Sequence, residues 1–140
     1  MARPAGDAAK PIIAVFNSSS DTVELLRTVL EAEGLHTVPG HIADLKKGEL
    51  DFVSFIEHHQ PAVIVYDISP PYEANWRLFQ HVASLPVMAG RQVVLTSTNA
   101  RQVEKLAGLH QNVYEIVGKP DDLERVVHAV KEASRARPSR

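Results

Sequence analysis

A chain of 140 residues with a formal net charge of −2, 44% hydrophobic and 23% charged residues has the make-up of one globular domain that can bury its own core. The absence of cysteine excludes disulfides, cysteine-ligated zinc and thiol catalysis. The charge balance supplies no field suited to nucleic acid, and no apolar run reaches the roughly 20 residues needed to cross a bilayer, so a cytoplasmic protein without nucleic-acid or membrane partners is expected.

In chain order, "MARPAGDAAKP" lacks the apolar stretch of a signal peptide, and residues 1–11 are expected to be a disordered segment before a domain at 12–132. "IIAVF" (12–16) is β-branched and continuous, the pattern of a strand covered on both faces. It runs through Asn17, Ser18, Ser19 and Ser20 into a helix in which Leu25, Leu26, Val29 and Leu30 share a face. Asp21 with Glu24 resembles a capping box with Asp in the Ser/Thr role, and Gly34 is placed to end the helix. "LHTVP" (35–39) suits an edge strand, where Pro39 is tolerated, and "GHIADLKKG" (40–48) reads as a long connection. "ELDFVSFIEHH" is a helical pattern burying Leu50, Val53 and Ile56, with Phe52 and Phe55 beside them.

"AVIVY" (62–66) is the next buried strand and ends at Asp67. "NWRLFQHVASL" offers Leu78, Phe79, Val82 and Leu85 to a core, with Trp76 packing the same helix. "QVVLTS" (92–97) is followed by "ARQVEKLAGL", with Val103, Leu106 and Ala107, and then by the strand "VYEIV" (113–117). The last helix carries Leu123, Val126, Val127 and Val130, entered after Pro120 with Asp121 as its cap. Residues 133–140, ending in "SRARPSR", read as a basic tail or linker stub.

Strands alternating with helices give a parallel sheet covered on both faces, whose sites lie at the carboxyl ends of the strands. Those ends carry Asn17 and Ser18, then Asp67, then Thr96 and Ser97, then Lys119. A carboxylate, a hydroxyl and an ammonium converging on one rim are the parts of an aspartyl-phosphate site. The serine run has no glycine and no Gly-Lys pair, which argues against a phosphate cradle of the P-loop kind. The seven histidines form no metal-ligand spacing, and His58-His59 suits a helix C-terminus.

"PAVIVYDISPP", "VVLTS" and "GKP", in this order behind "SDTVELLRTVLEAEG", resemble the receiver domain of two-component response regulators. The resemblance runs from about Ile12 to Val130 and implies a doubly wound, flavodoxin-like (CheY-like) α/β fold: five parallel strands in the order 2-1-3-4-5, with helices on both faces. It implies that Asp67 stands at the phospho-acceptor position and Pro71 at the proline four residues on. Thr96 stands at the hydroxyl position that responds to the phosphoryl group, and Lys119, followed by Pro120, at the lysine that pairs with the acceptor.

Three departures are visible. Asn17 and Ser18 stand where the family keeps two acidic residues for Mg²⁺. Ile116 stands at the aromatic switch position, with Tyr114 out of register. The segment from Gly34 to Pro61 is about six residues longer than expected. A hard cation such as Mg²⁺ is held by carboxylates with phosphate and water, and this site offers one carboxylate. The expectation is therefore a degenerate, non-enzymatic receiver-like domain that requires no cofactor, binds Mg²⁺ weakly and is phosphorylated slowly or not at all. It would signal through protein contacts at roughly residues 100–130 with a histidine kinase, an output domain or a homodimer mate. The alternatives are an atypical receiver phosphorylated at Asp67, and an anion- or small-molecule-binding domain using the loops at 17–20 and 67–72.

Overall fold

The computed structural model describes residues 11–108, 113–117 and 123–135, with only the backbone described for 113–117. The expected N-terminal segment (apart from Pro11), Lys119, Pro120, the Asp121 cap and residues 136–140 lie outside the described residues, as do the side chains of Tyr114 and Ile116.

The chain alternates β1 (Ile12–Asn17), α1 (Ser20–Ala32), β2 (His36–His41), α2 (Ile42–Lys47), α3 (Phe52–His59), β3 (Val63–Asp67), α4 (Tyr72–Ala83), a 3-10 turn at Pro86–Met88, β4 (Gln92–Thr96), α5 (Ala100–Ala107), β5 (Val113–Val117) and α6 (Leu123–Arg135). The strands pair in parallel in the order β2-β1-β3-β4-β5. The strand order reverses direction at β1, and β1 and β3 lie side by side there.

Alternation along each strand sorts the core into two layers. Ile13, Val15, Val63, Val65 and Val94 meet α1 and α6 on one face. Ala14, Phe16, Ile64, Tyr66, Val93 and Leu95 meet α3, α4 and α5 on the other. That second layer is held by aromatic packing. Phe16 lies 5.6 Å from Phe52, 5.2 Å from Phe55 and 5.9 Å from Tyr66, and Tyr66 lies 5.1 Å from Phe79. Phe16 also presses on Gly40, its partner in β2, so closely that a Cβ at Gly40 would collide with the ring. Pro39 sits in β2, which pairs only with β1, at the edge of the sheet where a missing N–H is tolerated.

The structure corrects four local expectations. The cap of α1 is Ser19, whose Oγ accepts the Thr22 N–H at 3.2 Å, and Asp21 lies inside the first turn. In α3, Phe52 and Ile56 are buried and Val53 is exposed, because the two phenylalanines claim the space against Phe16. In α4, which begins at Tyr72, Trp76 and Phe79 are buried and Leu78 is only partly so. The long connection at 40–48 contains α2, which ends at Gly48 with φ +77° and has Lys46 and Lys47 in its last turn. Gly34 does follow the end of α1, at φ +86°.

Candidate functional site

The carboxyl ends of β1, β3 and β4 form one rim. Phe16 pairs with Tyr66 across β1 and β3, so Asn17 and Asp67 leave the sheet side by side. Asp67 pairs in turn with Thr96 across β3 and β4. Sheet register alone therefore brings these three residues together.

Thr96 and Asp67 are both buried, and the Thr96 hydroxyl donates to Asp67 Oδ1 at 2.7 Å. The Ile68 N–H donates to the Thr96 carbonyl at 2.9 Å, which locks the two strand ends together. Burial pushes the Asp67 carboxyl above the usual aspartate range, and the Thr96 hydrogen bond works against that shift. Thr96 does not cap the turn that follows it. That role falls to Ser97, whose Oγ accepts the Asn99 N–H at 3.1 Å, and to Asn99, whose Oδ1 accepts the Gln102 N–H at 3.2 Å.

At the end of β1, Asn17 is buried and its Oδ1 accepts the Ser19 N–H at 2.9 Å. Ser18 is exposed. With the Thr22 N–H bonded to Ser19 Oγ, two backbone N–H groups of the junction find side-chain acceptors within residues 17–22. The donor set described at the rim is thus one buried carboxylate, one amide oxygen already bound to a backbone N–H, and serine hydroxyls. Among the described residues, no three His, Asp or Glu side chains converge so as to hold a metal ion.

Two features of the rim go beyond what the sequence reading identified. Tyr72 Oη and Thr98 Oγ1, 26 positions apart, hydrogen-bond at 3.0 Å and tie the loop after β3 to the loop after β4. The buried Asn75 donates through Nδ2 to the Ser69 carbonyl at 2.7 Å and fixes the 67–72 loop from behind. A polar residue in the first turn of an otherwise amphipathic helix was the available hint for Asn75.

Solved structures share this architecture. A sensor protein from Polaromonas sp. JS666 is 21% identical, with a TM-score of 0.67 over 89% of this chain and 96% of that one. A response regulator from Thermotoga maritima is 14% identical, with a TM-score of 0.70 over 91% of this chain and 99% of that one. The fold is that of the CheY-like receiver domains. In sequence, an uncharacterized 14.6 kDa protein of Leptolyngbya boryana is 25% identical over 126 residues, which is 90% of this chain and 92% of that protein. No family model matches the chain.

On this receiver fold Asp67 and Thr96 meet by direct hydrogen bond, and Asn17 and Ser18 stand at the end of β1 beside them. Lys119 and Pro120 lie outside the described residues. Ile116 is described only by its backbone, which pairs with Leu95 in β4. Among the described residues no helix is long and apolar enough to cross a membrane.

Proposed function

We propose that this chain is a receiver-like signalling module that acts through protein–protein contacts, with weak or no Mg²⁺-dependent phosphorylation of Asp67. One observation carries the reading: the end of β1 presents a neutral, buried amide oxygen, Asn17 Oδ1, which accepts the Ser19 N–H, and no carboxylate. Phosphoryl transfer to a carboxylate brings two anions together, and a divalent cation offsets that repulsion. A hard cation takes oxygen donors, with carboxylates the strongest among them, and the described rim offers one, Asp67. The residues at this rim therefore do not fit Mg²⁺ as a resident group.

Without turnover, output depends on what the domain touches. On this reading the contacts are made by roughly residues 100–130, of which Arg101, Glu104 and Lys105 on α5 are exposed, with a histidine kinase, an output domain or a second copy as the partner. The Asp67–Thr96 hydrogen bond favours a second reading, an atypical receiver phosphorylated at Asp67, because acceptor and hydroxyl remain paired. Incubation with a small-molecule phosphodonor and Mg²⁺, followed by intact mass, separates the two. The proposal expects no rapid phosphoryl adduct, whereas an adduct abolished by Asp67→Asn supports the second reading instead.

A further inference from the structure

Two side-chain hydrogen bonds join β3 and β4 beyond the sheet, at different depths. At the base, the Thr96 hydroxyl donates to Asp67 Oδ1 at 2.7 Å, and both residues are buried. Farther out, Tyr72 Oη and Thr98 Oγ1 share a hydrogen bond at 3.0 Å, with Tyr72 half-buried and Thr98 exposed. Tyr72 follows Asp67 by five residues and Thr98 follows Thr96 by two, so the two bonds and the chain between them close one ring.

The ring has little slack. On the β3 side, the Ile68 N–H donates to the Thr96 carbonyl at 2.9 Å, and Asn75 holds the Ser69 carbonyl through Nδ2 at 2.7 Å and the Pro71 carbonyl through its N–H at 3.1 Å. Pro70 and Pro71 each fix φ in the same stretch. On the β4 side, the buried Ser97 accepts the Asn99 N–H, and Asn99 accepts the Gln102 N–H in the first turn of α5. A segment bonded at nearly every residue passes a displacement on, whereas a slack loop absorbs it.

The two closures of the ring differ in what opens them. The Asp67–Thr96 bond lies away from water, and the outer bond faces water, which competes for both of its hydroxyls. The outer bond therefore opens without exposing the core. Tyr72 also packs against the aromatic layer, and that contact does not need its hydroxyl.

We infer that the Tyr72–Thr98 hydrogen bond is a latch on Asp67: closed, it holds the chain after β4 so that the Thr96 hydroxyl stays on Asp67 Oδ1, and open, it releases the carboxylate from that bond. Tyr72 and Thr98 are positioning residues that act on Asp67 through Thr96. A partner that hydrogen-bonds either outer hydroxyl thereby changes the state of a carboxylate it does not touch. The inference goes beyond the proposed function and stands whether or not Asp67 accepts phosphate.

NMR titration of the Asp67 carboxyl in the full chain tests it. Tyr72→Phe and Thr98→Val each remove one outer hydroxyl and keep the shape of the side chain, and circular dichroism checks the fold. Each should move the Asp67 midpoint upward, in the direction of Thr96→Val and by less, because the hydrogen bond that opposes burial is weakened. Tyr72→Phe/Thr98→Val should move it no further than either change alone, and Tyr72→Phe added to Thr96→Val should not move it. Exchange of the Ile68 amide should rise about two- to tenfold in each single variant, the range of one neutral hydrogen bond, with the Val65 amide in the middle of β3 unchanged. An Asp67 midpoint unmoved by Tyr72→Phe overturns the inference. So does a shift that persists on Thr96→Val, which makes Tyr72 act on the carboxylate directly. Ile68 exchange that rises only in step with Val65 also overturns it, and leaves the outer bond as an ordinary contribution to stability.

Discussion

Two strand ends on the same rim handle their polar groups in opposite ways. At the end of β1, Asn17 bonds to Ser19 and Ser19 to Thr22, so the junction is complete within six residues. At the ends of β3 and β4, Asp67 has its hydroxyl partner 29 positions away, on another strand. A locally bonded junction holds its shape without help from the other strands and presents neutral oxygens in place of carboxylates. A junction that shares its bonds between strands stays sensitive to what happens at either one.

Both ends rest on the same aromatic layer, since Phe16 precedes Asn17, Tyr66 precedes Asp67, and the two rings stack at 5.9 Å. Phe16→Ala should therefore break both at once. It should cost about 3–5 kcal/mol in denaturant unfolding, the range for truncating a buried phenylalanine. Thr96→Val sharpens the difference by removing the shared bond alone. It should cost about 1–3 kcal/mol and move the Asp67 carboxyl still higher by NMR titration, because burial then acts unopposed.

Ser19→Ala tests the local end. A loss of about 1 kcal/mol is expected, typical of an N-cap, with the Asp67 titration unchanged. A moved Asp67 titration would show that the two junctions are coupled. Tyr66→Phe should have the opposite sign. Tyr66 Oη is buried and without a hydrogen-bond partner among the described residues, so removing it should stabilise the domain by about 1 kcal/mol.

The smallest effect is expected far from the rim, at the C-terminus of α3. The His59 ring lies 4.5 Å from Phe55 and 4.7 Å from His58. Burial, then the neighbouring His58 and His36, hold its pKa below the usual histidine value. The unfolded chain therefore binds this proton at a higher pH than the folded one does. The contribution is present above the ordinary histidine pKa and is lost as pH falls through the lowered folded value. His59→Gln should flatten that part of the stability–pH curve.

Much of this was legible in the sequence because it depends on burial. The continuous β-branched runs at 12–16, 62–66 and 92–97 are strands with both faces covered, and their ends give the rim. What escaped depends on competition between neighbours. Several capping residues stand in a row at 17–21, and only geometry picks Ser19. Either Val53 or the flanking phenylalanines could have taken the inner face of α3, and the ring of Phe16 decides for the larger side chains. At six residues, α2 is too short for a periodic pattern, although Gly48 and the lysine pair before it marked its end. The Tyr72–Thr98 bridge joins residues with no pattern in common.

The central proposal is that the rim around Asp67, with Asn17 and Ser18 at the end of β1, does not hold Mg²⁺. NMR-detected Mg²⁺ titration of the wild-type chain beside Asn17→Asp/Ser18→Asp tests it most directly. The account predicts no saturable shift around Asp67 in the wild type at millimolar Mg²⁺, and a saturable one once both carboxylates are supplied. Saturable Mg²⁺ binding at Asp67 in the wild-type chain would contradict it.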